Sequence, residues 1–305
     1  MDVNFFKKVR ILDAGMGQEL LARGLISKGT LWSATSLLDE KYYKLVIDTH
    51  LSSIKAGAEI ILTNTFTTRR VRMEQNQVAD RFHFANKKAC ELALKAKELS
   101  KKNILIAGSL PGQNDTYIAD MRDKNIVENN FSEQASILSP HIDFFYLDVL
   151  SSGREIEIAL KVTQKFNKPV LVGIHIKKNG KLPSGETITE VVQKYKNDSW
   201  LGVISACVSL EIIEKTSDEF KKLGIPFGFK ANLWGVEEPL PVHRFNTAGF
   251  NEIGKNPNIT LGKRDEVTDK IFANFTKKII KNGATILGGC CETNASHIRE
   301  IAQLK

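Results

Sequence analysis

DFFYLDVLSSGREIEIALKVTQKFNKPVLVGIHI, residues 143–176, holds two apolar runs, DFFYLDV (143–149) and PVLVGIHI (169–176), around a stretch with apolar residues at helical spacing. Both runs are continuous rather than alternating, the pattern of strands buried on both faces of a parallel sheet. Working outward, the same unit recurs. RILDAG (10–15), AEIILTNTF (58–66) and ILIAGSL (104–110) precede it, and WLGVISACV (200–208), PFGFKAN (226–232) and ATILGGCC (284–291) follow. Amphipathic stretches lie between them, near residues 41–57, 80–102, 131–141, 153–167, 187–197, 209–223, 265–282 and 295–304. The period is clearest in EVTDKIFANFTKKIIKNG (266–283), which closes on Asn282-Gly283, a helix stop. Eight strand–helix units in strict alternation predict an α/β fold, a single-domain (β/α)₈ TIM barrel over residues 1–305, rather than an open doubly wound sheet.

Composition narrows the function classes. The chain has 305 residues, 42% hydrophobic and 26% charged, an ordinary soluble balance. No run of ~18 apolar residues is present, so no membrane span is expected. The opening MDVNFFKKVRILDAG lacks a basic-then-apolar layout, and a cytoplasmic protein is the expectation. The net charge of +8 is dispersed over helical stretches such as KKACELALKAKELSKK (87–102), where it reads as a solvated face; no nucleic-acid partner is expected. No GxGxxG or GxxxxGK[ST] follows a strand, which argues against nucleotide binding. The longest irregular segment, 233–264, is a candidate lid.

Barrel enzymes build their sites at the C-terminal ends of the strands. Those ends carry Asp13, Thr63-Asn64-Thr65, Gly108-Ser109, Asp148, His175, Cys207, Asn232 and Cys290-Cys291. Of the four cysteines, Cys90 falls mid-helix and reads as core. Three thiolates can hold Zn²⁺ with a fourth position open, the arrangement of a catalytic centre. Gly288-Gly289 would let the backbone bend so that adjacent cysteines aim at one metal. On spacing alone, three buried apolar thiols are the alternative.

GGCC (288–291), followed by Thr293 and His297-Ile298, resembles the C-terminal signature of the homocysteine S-methyltransferase family. The resemblance runs in order along most of the chain: LDAGMGQEL (12–20), LWS (31–33), His50 with AGAEIILTNTF (56–66), Gly108-Ser109, the acidic end of the fourth strand, Cys207, and Asn232 followed by Gly235. It implies a (β/α)₈ barrel with Cys207, Cys290 and Cys291 as zinc ligands. It further implies small-molecule substrates: homocysteine, whose thiol takes a methyl group to give methionine, and a methyl donor. Asp13 and Asp148 would pair with the homocysteine ammonium, though Asp13 could instead cap the helix after it. Backbone N–H groups around Gly15 and Thr63 would take the carboxylate, with Asn232 also in the substrate site. Trp32, with Trp234 and Phe66 behind it, would face the cationic methyl group. Of the donors, S-methylmethionine or S-adenosylmethionine leads and betaine is second. Another thiol or selenol acceptor, an osmolyte demethylase, or a non-catalytic zinc barrel are the rival readings. The chain also departs from the family pattern: Asp148-Val149 stands for Glu-Thr, Ala206 for Asn, and LDAG for LDGG. His175 is either a site residue or structural. No cobalamin or folate module is expected, and the sequence sets no oligomeric state.

Overall fold

WLGVISACV forms a strand over all nine of its residues, Trp200–Val208, every one of them buried. In the computed structural model, which describes residues 2–305, it is the sixth of eight strands. In chain order these are β1 (Arg10–Ile11), β2 (Ile60–Leu62), β3 (Leu105–Pro111), β4 (Phe144–Leu150), β5 (Val170–Ile174), β6 (Trp200–Val208), β7 (Phe227–Ala231) and β8 (Ile286–Gly289). Each expected run supplies one strand. All pair in parallel in the order β1-β8-β7-β6-β5-β4-β3-β2, and a bridge between Leu12 and Ile60 joins the two ends of that order. The chain is a (β/α)₈ TIM barrel.

That closing seam is thin, and two carboxylates reinforce it. Glu59 accepts the Ile11 N–H at 3.2 Å, and Asp13 accepts the Leu62 N–H at 2.8 Å. These side chains occupy amides that a longer ladder would have paired with carbonyls.

The helices of the described residues are α1 (Met16–Ala22), α2 (Thr35–Leu38), α3 (Tyr43–Ala56), α4 (Arg70–Gln75), α5 (Phe82–Ser100), α6 (Lys124–Leu138), α7 (Gly153–Thr163), α8 (Ile188–Tyr195), α9 (Leu210–Lys222), α10 (Asn258–Leu261), α11 (Asp269–Lys281) and α12 (Ala295–Ala302). Helix α11 stops where Asn-Gly requires, with Gly283 at φ 111°. Helix α6 starts at Lys124 rather than near 131. Asp123 caps it through the Asn125 and Ile126 amides, and its first turns are polar, with only Val127 buried before Phe131. None of the helices is long and apolar enough to cross a membrane.

The core has two layers, as alternation along buried strands requires. Side chains such as Phe145, Leu147, Val172 and Val203 pack outward against the helices. Phe144, Tyr146, Leu171, Ile204 and Ile286 fill the barrel interior. A 3₁₀ turn, Val3–Lys7, adds Phe6 to that interior layer, edge-on to Phe144 at the start of β4. With that end filled by apolar rings, the opposite end is left for a site.

Candidate active site

Two strands break their alternation at the site. The register of β6 on β7 shifts between Ala206 and Val208, and Cys207 takes a left-handed φ of 52°. Such a bulge adds one residue and turns two consecutive side chains the same way, so Ala206 and Cys207 both belong to the interior layer. The same device recurs in β4, whose register shifts between Leu147 and Leu150. There Val149 sits at φ 61°, costly for a β-branched residue, and Asp148 and Val149 both line the cavity.

The adjacent cysteines are placed differently from the expectation. Strand β8 ends at Gly289, and Cys290 and Cys291 lie in the turn beyond it. Neither Gly288 nor Gly289 is left-handed; the left-handed residue is Glu292, φ 63°. The glycines serve by leaving room. A Cβ on Gly289 would come within 2.1 Å of Thr293 Oγ1, and one on Gly288 within 2.9 Å of Leu12 Cβ.

The three sulfurs gather within 4.8 Å of one another. Cys207 Sγ is 3.7 Å from Cys291 Sγ, and Cys290 Sγ is 3.9 Å from Cys291 Sγ. Thiolates 2.3 Å from a tetrahedral zinc would stand ~3.8 Å apart, so the donor set fits that ion in both chemistry and spacing. Two neighbours hold Cys207. Asn232 Nδ2 donates to its carbonyl at 2.7 Å and approaches its Sγ at 3.8 Å, while the Tyr117 hydroxyl stands 3.2 Å from the sulfur. The Tyr117 ring lies 4.5 Å from His175, whose Nδ1 is 3.4 Å from the Ala206 carbonyl. Burial by itself raises the Cys207 thiol. Hydrogen bonds from Cys290, Cys291 and Tyr117 outweigh it and hold Cys207 well below the usual thiol range. Cys90, buried in α5 and pushed up to about 12 by desolvation, is core as expected.

The sulfurs form one wall of a cavity of about 1050 Å³, counting the part open to solvent, at the C-terminal end of the strands. Asp13, Gly15, Trp32, Thr63 and Asp148 line it too; Asn232 lies behind Cys207 and does not. Asp13 is already committed: Lys230 Nζ donates to its Oδ1 at 2.7 Å, in addition to the Leu62 amide on Oδ2. It caps no helix, since α1 begins from Gly15 without a side-chain cap. The Gly15 amide donates to Thr293 Oγ1 and the Thr63 amide to the Ala107 carbonyl, so neither is free. The Trp32 indole is fixed by Nε1 donating to Gln18 Oε1 at 3.0 Å and rests on Gly17, where a Cβ would clash at 2.3 Å. Asp148 accepts from Ser109 Oγ at 2.7 Å through Oδ2. Its burial pushes it up to about 7.

The sequence profile of the family described as Homocysteine S-methyltransferase matches residues 10–304. The chain belongs to the homocysteine S-methyltransferase family. It is 22% identical over 317 residues to homocysteine S-methyltransferase 2 of Zea mays, covering 95% of this chain and 88% of that one. It is 24% identical over 310 residues to betaine–homocysteine S-methyltransferase 1 of Bos taurus, covering 97% and 72%. Among solved structures it resembles the metallated form of the homocysteine methyltransferase MmuM from Escherichia coli, with TM-score 0.77, 18% identity, and coverage of 98% and 96%. Membership makes this chain a methyltransferase of the homocysteine type.

For a homocysteine S-methyltransferase, which must bring two small molecules together away from water, the segment 233–264 matters. It lends the cavity Trp234, Val242, Phe245, Asn246, Pro257 and Leu261. Backbone bonds to Ser27 and Gly29 hold its far part, and one carboxylate helps to hold the near part. Asp115, in the loop after β3, accepts from the Val242 and His243 amides, stands 2.6 Å from His243 Nδ1, and also pairs with Arg72. Lys230, Tyr117, Arg69 and Arg72 all line the cavity and escaped sequence reasoning. Lys230 alone left a trace, a charge inside a buried strand run.

Proposed function

We propose that this homocysteine S-methyltransferase transfers a methyl group from a small sulfonium or quaternary-ammonium donor to the sulfur of homocysteine, with zinc held by Cys207, Cys290 and Cys291. S-methylmethionine or S-adenosylmethionine leads as donor, and betaine is second. The observation that carries the reading is the gathering of three sulfurs at tetrahedral-ligand spacing on the wall of a covered cavity. Zinc bound there supplies a Lewis acid that brings a fourth thiol, of ordinary pKa ~8.5, to its thiolate near neutral pH.

The protein's own groups do the rest. Asn232 and Tyr117 orient Cys207, as outer partners of metal ligands commonly do. Asp148, one oxygen held by Ser109, receives the homocysteine ammonium, and that cation favours the ionised carboxylate. Asp13 acts through its ion pair with Lys230, shaping the wall beside it. Trp32, fixed by Gln18, presents an aromatic face to the onium methyl, with Phe66 nearby in the same lining. Attack of the acceptor sulfur on that methyl forms a new S–C bond as the donor's S–C or N–C bond breaks. The electron pair departs with a neutral sulfide or amine, and the thiol proton is released to solvent. The segment 233–264 excludes water from this encounter.

The test is metal content and methionine formation in the wild type and Cys290→Ala, with several donors. About one zinc per chain and methionine from at least one donor are expected, both lost in the variant. A wild type that takes up no zinc under reducing conditions would overturn the reading.

A further inference from the structure

We propose that Arg69 binds the carboxylate of the methyl donor, so that onium donors that also carry a carboxylate are preferred over those that lack one. The inference rests on the methyl-transfer reading and deepens it.

Arg69 is 1% exposed and lines the cavity. Its guanidinium donates to the Gly112 carbonyl at 2.8 Å and to Thr116 Oγ1 at 2.9 Å, and its Nε has no partner. Among the described residues no carboxylate lies within ion-pair distance of it. The other buried cations of the cavity are matched, Lys230 by Asp13 and Arg72 by Asp115. Burial pushes Arg69 down to about 9, which leaves it charged at neutral pH. A buried charge without a counter-ion is expensive, and a cavity wall is where a ligand can supply the missing anion. A guanidinium suits a carboxylate because its planar fork can donate two parallel hydrogen bonds.

Position assigns that carboxylate to the donor. The acceptor's groups, Asp148 and the cysteines, sit on β4 and β6 and in the turn just beyond β8. Arg69 lies beyond them, in the loop between β2 and α4. One turn further on, Arg72 pairs with the Asp115 that pins the covering segment. Arg69 thus belongs to a different part of the lining from the acceptor's groups, where a second substrate can meet an acceptor seated against the sulfurs. The guanidinium also lies over the Phe66 ring, 5.1 Å from its centroid, which holds it against the lining that Trp32 shares.

The test compares betaine and S-methylmethionine, which carry a carboxylate, with trimethylsulfonium, which does not, on wild type, Arg69→Gln and Arg69→Lys. For Arg69→Gln, the KM of the carboxylate donors should rise about 10- to 100-fold. The homocysteine KM and turnover of trimethylsulfonium should stay within about threefold of wild type. Arg69→Lys, which keeps the charge without the fork, should recover part of the loss; thermal melting of each variant checks folding. A rise in homocysteine KM instead would assign Arg69 to the acceptor, and an equal loss with trimethylsulfonium would make it structural; either overturns the proposal. Calorimetric titration with betaine and S-methylmethionine separates this from the reaction itself. Binding by the wild type that Arg69→Gln loses, in an enzyme that forms no methionine, would sink the methyl-transfer reading and keep the carboxylate site. Wild type that binds neither compound refutes the site.

Discussion

Replacing Lys230 with methionine would leave the Asp13 carboxylate buried without its cation. Asp13 is 3% exposed and Lys230 4%, and the lysine donates both to the carboxylate at 2.7 Å and to the Asp13 carbonyl at 2.9 Å. Methionine roughly fills the lysine stem's volume, so the change removes charge more than packing. Breaking a buried pair from one side costs about 3–5 kcal/mol, because the remaining charge has lost its partner and regains little water. The Leu62 amide still donates to Oδ2, which puts the expected loss near the lower end, about 3 kcal/mol. Removing both charges in Asp13→Asn/Lys230→Met should bring the protein back to within about 1 kcal/mol of wild type, some 2–3 kcal/mol more stable than Lys230→Met alone. Urea unfolding followed by circular dichroism, on samples matched for metal content, measures all corners of the cycle. If Lys230→Met unfolds within about 1 kcal/mol of wild type, the ion pair is not what holds Asp13. The carboxylate would then be free to meet the substrate ammonium directly.

Other consequences can be measured on the same protein. Asp148, raised to about 7 by burial and faced by Ser109, Lys230, Cys207 and Asp13, takes up a proton as pH falls through that value. Homocysteine KM should therefore climb up to tenfold per unit below about pH 7 in the wild type. In Asp148→Asn it should be high and flat; equal slopes in the two would remove Asp148 from the ammonium site. Glu155, buried at the start of α7, is likewise raised to about 7 by desolvation, against Ser152 and Ser151 hydrogen bonds that lower it. Its folded pKa lies above its unfolded one, so its contribution is intact below about 4.5 and is lost as pH rises through about 7. Relative to Glu155→Gln, the wild type should lose about 3 kcal/mol across that window, and unfolding curves at pH 4.5 and 8 that shift in parallel would contradict this. Asp115→Ala should loosen the backbone around the already exposed Arg244, with tryptic cleavage there about tenfold faster than in the wild type; unchanged cleavage would show that the bonds of the segment to residues 27–29 hold it.

The barrel was legible because parallel strands leave continuous apolar runs, and in WLGVISACV the run and the strand share both ends. RILDAG and AEIILTNTF shrink to Arg10–Ile11 and Ile60–Leu62, since beyond those residues the chain turns to form the site. Helices α1, α2, α4 and α10 are too short to print a period. The cysteines were legible through their chemistry, whereas the bend that aims them was not. A left-handed Glu292 or a bulge at Cys207 is a tertiary outcome with no residue preference to announce it. Tyr117 lies 90 residues from the sulfur it touches, in a loop without pattern. Asn232 had the right neighbourhood and a different task, bonding the Cys207 backbone from behind.

At the narrow seam between β1 and β2, the barrel's circumference is closed by the chemical identity of two side chains as much as by main chain. Anyone reshaping the pocket at Asp13 to accept a different amino acid is also editing the joint that sets how far those strands stand apart. The shape of the cavity wall and the closure of the barrel are therefore set together at that position, and a library randomised there samples altered folds along with altered pockets. The search is better begun on the covering loops, where a side chain can be exchanged without loosening the hoop.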